Sequence, residues 1–267
     1  GQTTSTASNL TAGTYNVTIT DQKGCFEDTS VTVLEPDALS VDTSFQDSVS
    51  CNGLFDGSAS ILGAGGNGIY SYLWSDGQTT STASNLTAGT YNVTITDQKG
   101  CFKDTFVIVL EPDVLSVDTS FQDSVSCNGL FDGTASVVAS GGNGIYSYLW
   151  SDGQTTATAS NLTAGTYNVT ITDQKGCFKD TSVIVLEPDA LLIASMSMDS
   201  ASCNGVADGT ATANGITGGN GINSFSWNTT PLQTTNPAIG LAAGNYTITV
   251  TDQKGCFTTR DTTVLEP

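Results

Sequence analysis

Residues 162–177 read Leu-Thr-Ala-Gly-Thr-Tyr-Asn-Val-Thr-Ile-Thr-Asp-Gln-Lys-Gly-Cys, and the same string stands at 10–25 and at 86–101. A near copy, Leu-Ala-Ala-Gly-Asn-Tyr-Thr-Ile-Thr-Val-Thr-Asp-Gln-Lys-Gly-Cys, occupies 241–256. The first half alternates. Tyr167, Val169 and Ile171 point one way, and Asn168, Thr170 and Thr172 point the other, which is the period of a half-buried strand. Asp173-Gln174-Lys175-Gly176 then supplies a hairpin turn, with Asp suited to its first position and Gly tolerating positive φ at its last. In the strand that follows, Val183 and Val185 face inward. Their outward neighbours vary between copies: Ser30, Phe106 and Ser182 are equivalent, as are Thr32, Ile108 and Ile184.

Working outward, the string belongs to a repeat. Cys25, Cys101 and Cys177 are spaced 76 and 76, as are Cys51, Cys127 and Cys203. Residues 37–112 and 113–188 differ at 8 of 76 positions, and 189–267 is a diverged copy with three extra residues. Leu-Glu-Pro closes each copy at 34–36, 110–112, 186–188 and 265–267. Pro cannot donate to a ladder and stiffens the chain, which suits a strand end and a short linker. The division is therefore 1–36 as the C-terminal half of a repeat, 37–112 and 113–188 as whole repeats, and 189–267 as a divergent repeat. The half repeat is expected to bury no core of its own. The reading is a slice of a longer tandem array cut from a longer precursor.

Within 113–188, turn residues recur every eight to twelve positions, the rhythm of a sandwich. The expected strands are 114–126, 134–140, 145–151, 155–161, 166–173 and 178–186. Trp150 sits on the third strand, in the place of the buried Trp of immunoglobulin-like sandwiches. Leu162-Thr163-Ala164-Gly165-Thr166-Tyr167 reads as a tyrosine corner. Trp74, Trp150 and Trp227 with Tyr91, Tyr167 and Tyr246 thus form the expected core signature. Val169 stands where antibody domains carry their second Cys, so any disulfide here is placed differently. The expected fold is all-β: a tandem array of immunoglobulin-like (PKD-like) β-sandwich repeats of 76–79 residues.

Composition removes several functions. The 267 residues carry 26 acidic and 7 basic side chains, a net charge of −19, and no His. A chain with that balance repels phosphate backbones, which excludes nucleic acid as a partner. Without His there is no Ser-His-Asp or Cys-His nucleophile system and no imidazole metal ligand. No apolar run approaches the length of a membrane span.

Several pieces together resemble the SprB repeat. They are Cys127-Asn128-Gly129, Asp132-Gly133, Gly141-Gly142, Tyr148-x-Trp150, Leu162-x-Ala164-Gly165-x-Tyr167-x-Val169 and Asp173-x-x-Gly176-Cys177. That family is named for the giant gliding-motility surface adhesin of Bacteroidota. The resemblance implies a protein exported by the type IX system, displayed at the cell surface as a filament, attached to the outer membrane through the parent protein, and carried by the gliding machinery.

Four groups of residues are candidates for chemistry. Cys51 with Cys101, Cys127 with Cys177 and Cys203 with Cys256 are candidate disulfides within repeats, leaving the partner of Cys25 outside the chain. The alternative staples neighbours: Cys25 to Cys51, Cys101 to Cys127 and Cys177 to Cys203. The first pairing meets a geometric objection, since the end of the first strand and the start of the last lie at opposite ends of a standard sandwich. Asp56, Asp76, Asp97, Glu111 and Asp113 lie in loops or linkers, where oxygen-rich clusters suit calcium; solvated turns are the default, so no cofactor is assigned. If the family resemblance holds, the Asp-Ser-aliphatic motif makes Ser48, Ser124 and Ser200 candidate O-glycan acceptors. Tyr70 and Tyr146 are a candidate sugar-stacking surface, against the alternative of rim tyrosines packed on a turn; Phe45 and Phe121 are expected at the repeat junction.

Three functions compete on this reading. The array is a non-enzymatic stalk presenting adhesive regions, or its repeats themselves bind an external surface or polysaccharide multivalently, or it is a hydrolase built on paired carboxylates. The acids sit in turns, so the enzyme reading is set aside. In the stalk, load is expected to pass through the strands and the Leu-Glu-Pro junctions.

Overall fold

The computed structural model describes residues 1–267 and contains no helix. The chain falls into two compact units, Gly1–Pro112 and Asp113–Pro267. In chain order, the strands of the first unit are β1 (Gly13–Thr20), β2 (Phe26–Val33), β3 (Ser40–Asp47), β4 (Gly57–Ala64), β5 (Ser71–Trp74), β6 (Thr82–Leu86), β7 (Gly89–Thr96) and β8 (Phe102–Val109). Those of the second begin with β9 (Asp113–Asp123), β10 (Gly133–Gly142), β11 (Ser147–Trp150), β12 (Thr158–Leu162), β13 (Gly165–Thr172) and β14 (Phe178–Val185). They continue with β15 (Leu192–Asp199), β16 (Gly209–Thr217), β17 (Ser224–Trp227), β18 (Ala238–Leu241), β19 (Gly244–Thr251) and β20 (Phe257–Val264).

Each whole repeat is two three-stranded antiparallel sheets. In 113–188 they run β12-β10-β9 and β11-β13-β14. Lettered as in an immunoglobulin domain, the first sheet is E-B-A and the second C-F-G, with strand D absent. The orders β6-β4-β3 with β5-β7-β8, and β18-β16-β15 with β17-β19-β20, repeat the plan. The array is thus built of immunoglobulin-like sandwiches.

The alternation of the opening string explains the core. Val169 and Ile171 are buried, as are Val183 and Val185 on the adjacent strand, while Asn168 and Ser182 face solvent. Ala135, Val137, Ala159 and Leu162 come from the other sheet, and Trp150 fills the space between. The Trp150 indole N–H donates to the Thr156 carbonyl at 2.8 Å, so its one polar atom is paired inside the core. The tyrosine corners form as read: Tyr91, Tyr167 and Tyr246 donate to the carbonyls of Thr87, Thr163 and Ala242 at 3.0–3.1 Å.

All six strands read in 113–188 exist, with shifted ends. The strand expected over 155–161 starts only at Thr158, and a side chain pairs along its outer edge. The Gln154 amide donates to the Ser160 carbonyl and accepts from the Ser160 N–H, both at 2.9 Å. A Gln side chain thus occupies the place of a neighbouring backbone. The strand expected over 145–151 loses its start because Ile145 adopts φ +44°, a left-handed turn conformation. The half repeat 1–36 forms one hairpin, β1 with β2, whose inward face is open: Val17, Ile19 and Val31 are exposed where their equivalents are buried. Phe45 and Phe121, expected at a junction, are 65% and 61% exposed.

Gly133 stands where the two sheets pinch together. A Cβ there would lie 2.6 Å from Val185 Cγ1, 3.0 Å from the Leu162 carbonyl and 3.2 Å from Val125 Cγ1. Gly133→Ala is therefore expected to destabilise its repeat by about 1–3 kcal/mol through overpacking. An unchanged urea midpoint for the variant would refute the pinch.

Candidate functional site at the repeat junction

The turn that ends the opening string is organised by its Asp. Asp252 is 6% exposed and accepts four hydrogen bonds. Lys254 N and Cys256 N donate to one oxygen, both at 2.9 Å. Asn220 N and Asn220 Nδ2 donate to the other at 2.7 and 3.0 Å. The carboxylate thereby joins the Gly218–Asn220 loop to the Cys256 turn. Asp97 does the same with Asn67, Lys99 and Cys101, and Asp173 with Asn143, Lys175 and Cys177. The amide of Asn67, followed by the backbone donors, holds the Asp97 carboxyl well below its ordinary value near 3.8 despite burial. For Asp173 and Asp252 burial is the largest influence and acts upward, yet the Asn143 and Asn220 donors with the turn N–H groups outweigh it.

At the opposite end of each sandwich lies a second turn. Asp132 accepts from Ser126 N at 2.9 Å and also from the Ser126 hydroxyl, and these bonds lower its pKa. Asp56 with Ser50 and Asp208 with Ser202 repeat the pattern. The following Cys-Asn-Gly clamps the linker that leaves the same repeat. Gly129 N donates to Glu187 Oε2 at 3.0 Å, and Asn128 Nδ2 donates to the Pro188 carbonyl at 3.1 Å. Gly53 with Glu111 and Asn52 with Pro112 do the same, as does Gly205 with Glu266.

The two turns meet where 113–188 passes into 189–267. Cys127 is bonded to Cys256, with Cα atoms 5.6 Å apart and a sequence separation of 129. Beside the bond, Asn220 Nδ2 donates to the Ser126 carbonyl at 2.9 Å, and Cys256 Sγ lies 3.2 Å from that oxygen. Leu130, Ala190, Leu191 and Phe257 line the crevice around it. The linker is fixed from both sides, since Gly219 N donates to the Asp189 carbonyl at 2.9 Å and Gly218 passes so close to Ala190 that a Cβ would meet its carbonyl at 2.1 Å. In the chain-entropy picture a disulfide of this span contributes about 5 kcal/mol.

This bond corrects both pairings read from the sequence. Cys127 does not bond Cys177, Cys203 does not bond Cys256, and Cys51 does not bond Cys101. The alternative set fails too, because Cys25, Cys101 and Cys203 are exposed free thiols; Cys51 and Cys177 are not among them. The reason is the geometric objection itself. One Cys follows the first strand and the other precedes the last, at opposite ends of a sandwich, so only the end of the next repeat brings them together.

The remaining candidates are placed as follows. The carboxylates of Asp56 and Asp97 are occupied by turn donors, Glu111 holds the linker clamp, and Asp76 accepts from Gln78. No group of three or more His, Cys, Asp or Glu side chains is arranged to hold a metal ion. Ser48, Ser124 and Ser200 are exposed, each just before a buried residue, Val49, Val125 or Ala201. Tyr70 and Tyr146 are partly buried against their cores and donate to the carbonyls of Gly65 and Gly141 at 2.7 Å, as rim tyrosines packed on a turn. Asn67, Asn143 and Asn220 were not read as functional. Their recurrence in Gly-Gly-Asn-Gly, upstream of every buried turn Asp, is the signal that finds them.

Comparison with known families agrees with the motifs. The SprB repeat profile matches residues 43–79 and 119–155. Those two segments are similar to the SprB repeat. No curated protein matches it. Among solved structures it is similar to Sidekick-1 immunoglobulin domains 1-5, at 13% identity and TM-score 0.39, covering 98% of this chain and 68% of that one. It is also similar to extracellular domains 3-5 of Drosophila OTK, at 12% identity and TM-score 0.28, covering 79% and 91%. Likenesses of that size carry no argument, and the sandwich assignment rests on the strand orders above.

Two outcomes follow from the site. Native alkylation is expected to label Cys25, Cys101 and Cys203 and to spare Cys127 and Cys256 until reduction; labelling of Cys256 in the oxidised native protein would contradict the junction. The turn carboxylates are charged in the folded state at a pH where they protonate in the unfolded chain, so they stabilise fully above about pH 4 and progressively less as pH falls below it. Asp97→Asn is expected to lower the melting temperature at pH 7 and to flatten the acid limb of a melting-temperature profile over pH 3–7. A parallel shift at every pH would argue against the carboxylate's role.

Proposed function

We propose that this SprB-repeat array is a non-enzymatic segment of an adhesin-like cell-surface filament used in gliding motility, acting as a stalk that presents adhesive regions to the substratum. The observation that carries this reading is the Cys127–Cys256 bond with its Asn220 and linker contacts. The most constructed place in Asp113–Pro267 joins one repeat to the next. Catalysis needs a nucleophile or a paired acid and base in a cleft, and the buried carboxylates of Asp97, Asp173 and Asp252 are spent on turn N–H groups and an Asn amide.

The disulfide fits an extracellular setting, and no helix is long and apolar enough to cross a membrane. Type IX export, outer-membrane attachment through the parent protein, glycans at Ser48, Ser124 and Ser200, and coupling to the gliding machinery belong to the same proposal, on the strength of the family resemblance.

One observation favours the second reading, in which the repeats bind a surface or polysaccharide themselves. Ile69, Ile145 and Ile222 are 75%, 79% and 76% exposed at the same loop of successive repeats, and the first two hold positive φ. A β-branched residue kept in that conformation at a loop tip is a strained presentation of apolar surface, and repetition multiplies a weak site.

Binding of the oxidised chain to glass and to a panel of polysaccharides, with and without calcium, tests both. The stalk reading expects no saturable binding by folded protein. Saturable binding that is lost on replacing Ile69, Ile145 and Ile222 with Ser would overturn it in favour of the repeats as the adhesive element.

A further inference from the structure

The turn around Cys203 is built like the turn around Cys127, and its cysteine is a free thiol. Ser202 N donates to Asp208 Oδ1 at 2.8 Å, as Ser126 N donates to Asp132. Val206 N donates to the Cys203 carbonyl at 3.1 Å, as Leu130 N donates to that of Cys127. Glu266 accepts from Gly205 N at 3.0 Å, as Glu187 accepts from Gly129 N. Ala201 is buried beneath the turn as Val125 is beneath the other. In both places the Asp and Glu carboxylates fix the backbone and leave the thiol at the surface. At Cys127 this arrangement receives the Cys256 turn, with Asn220 on the Ser126 carbonyl; at Cys203 the thiol is free and exposed.

We infer that Ser202–Asp208 is a covalent docking site for the Asp-Gln-Lys-Gly-Cys turn of another repeat of this kind, joined after Leu265-Glu266-Pro267, with Cys203 bonding that repeat's turn cysteine. The occupant is defined by chemistry present in this chain. It must carry a Cys whose N–H is held by a buried Asp, an Asn on the same Asp whose amide reaches the Ser202 carbonyl, and a linker short enough to bring both to Cys203. The 189–267 repeat meets these requirements at Cys127.

Disulfide formation needs an oxidant, here a small-molecule disulfide. The Cys203 thiolate attacks one of its sulfurs, forming a mixed disulfide and releasing one small thiolate. The incoming Cys thiolate then attacks Cys203 Sγ in that mixed disulfide and releases the second. Two protein thiols become one disulfide, and their two electrons and two protons end on two small thiols. The inference does not depend on adhesion, since it concerns only how repeats join.

The test extends the whole chain after Pro267 in two ways, once with a copy of 189–267 and once with a copy of 113–188. Each protein is oxidised in a glutathione buffer, alkylated while native, and mapped by non-reducing peptide mass spectrometry. The expected result is a bond from Cys203 to the turn cysteine of the added repeat, loss of Cys203 alkylation, and a free thiol at the added copy of Cys203 or Cys127. Cys203→Ser should leave the added turn cysteine alkylatable with Cys127–Cys256 intact. Cys203 that stays alkylatable in both proteins while Cys127–Cys256 is present, or that bonds any other cysteine, overturns the inference. Absence of Cys127–Cys256 from both overturns it as well, because the junction it copies would not form.

Discussion

A carboxylate set below the surface at the end of each sandwich governs both the repeat and its junction. Asp97, Asp173 and Asp252 stand at the start of the last hairpin turn, and each accepts backbone donors on one side and an Asn on the other. A carboxylate withdrawn from water is costly unless its lone pairs are filled, and four donors fill them here. What these donors fix is the relative position of two loops: the turn carrying the second cysteine and the loop carrying Asn67, Asn143 or Asn220. In Asp113–Pro267 those are the two elements that reach the preceding repeat. A bond chosen to close a hairpin therefore also aims a thiol and an amide outward together.

Much of the fold was legible because its determinants are local. Alternation in Thr166–Asp173, Gly at turn ends and the Leu-Ala-Gly-x-Tyr corner each concern neighbours in sequence, and each reads without tertiary knowledge. A strand start was missed where Ile145 takes a left-handed conformation, and the Gln154 side chain that pairs with the edge at Ser160 was not read either, since neither residue carries a pattern of its own. The disulfide was missed for another reason. Spacing within a repeat is constant whichever way the cysteines pair, and the choice is made by which ends of two sandwiches face each other.

The divergent repeat shows which interactions the architecture requires. Ser-Asp-Gly at 75–77 is replaced by Asn228-Thr229-Thr230-Pro231, yet both lost contacts reappear from other atoms. Thr229 Oγ1 accepts from Gln233 N, where Asp76 accepted from Gln78 N. Asn228 Oδ1 accepts from Thr247 N, where Ser75 Oγ accepted from Asn92 N. The chemistry at a position changes, and the requirement that a buried or turn N–H be met does not. Cys203, Asn204, Gly205, Asn220, Asp252 and Cys256, by contrast, keep their identities within this same repeat. The junction tolerates less substitution than the sandwich wall, because a thiol has no isostere that forms a bond.

The span of the Cys127–Cys256 bond has a mechanical consequence. Tension entering Asp113–Pro267 at its first strand reaches Cys127, crosses two sulfurs to Cys256 and leaves through β20. For tension that enters this way, the backbone between those cysteines is bypassed. The sequence placed Leu186-Glu187-Pro188 in that path; the bond puts it in the bypassed loop. At roughly 3.4 Å per extended residue, the 129 positions spanned amount to about 440 Å of contour that a pull cannot release until the sulfurs part. Under oxidising conditions that length stays locked inside Asp113–Pro267. Reduction of the bond would make the same length available to a pull.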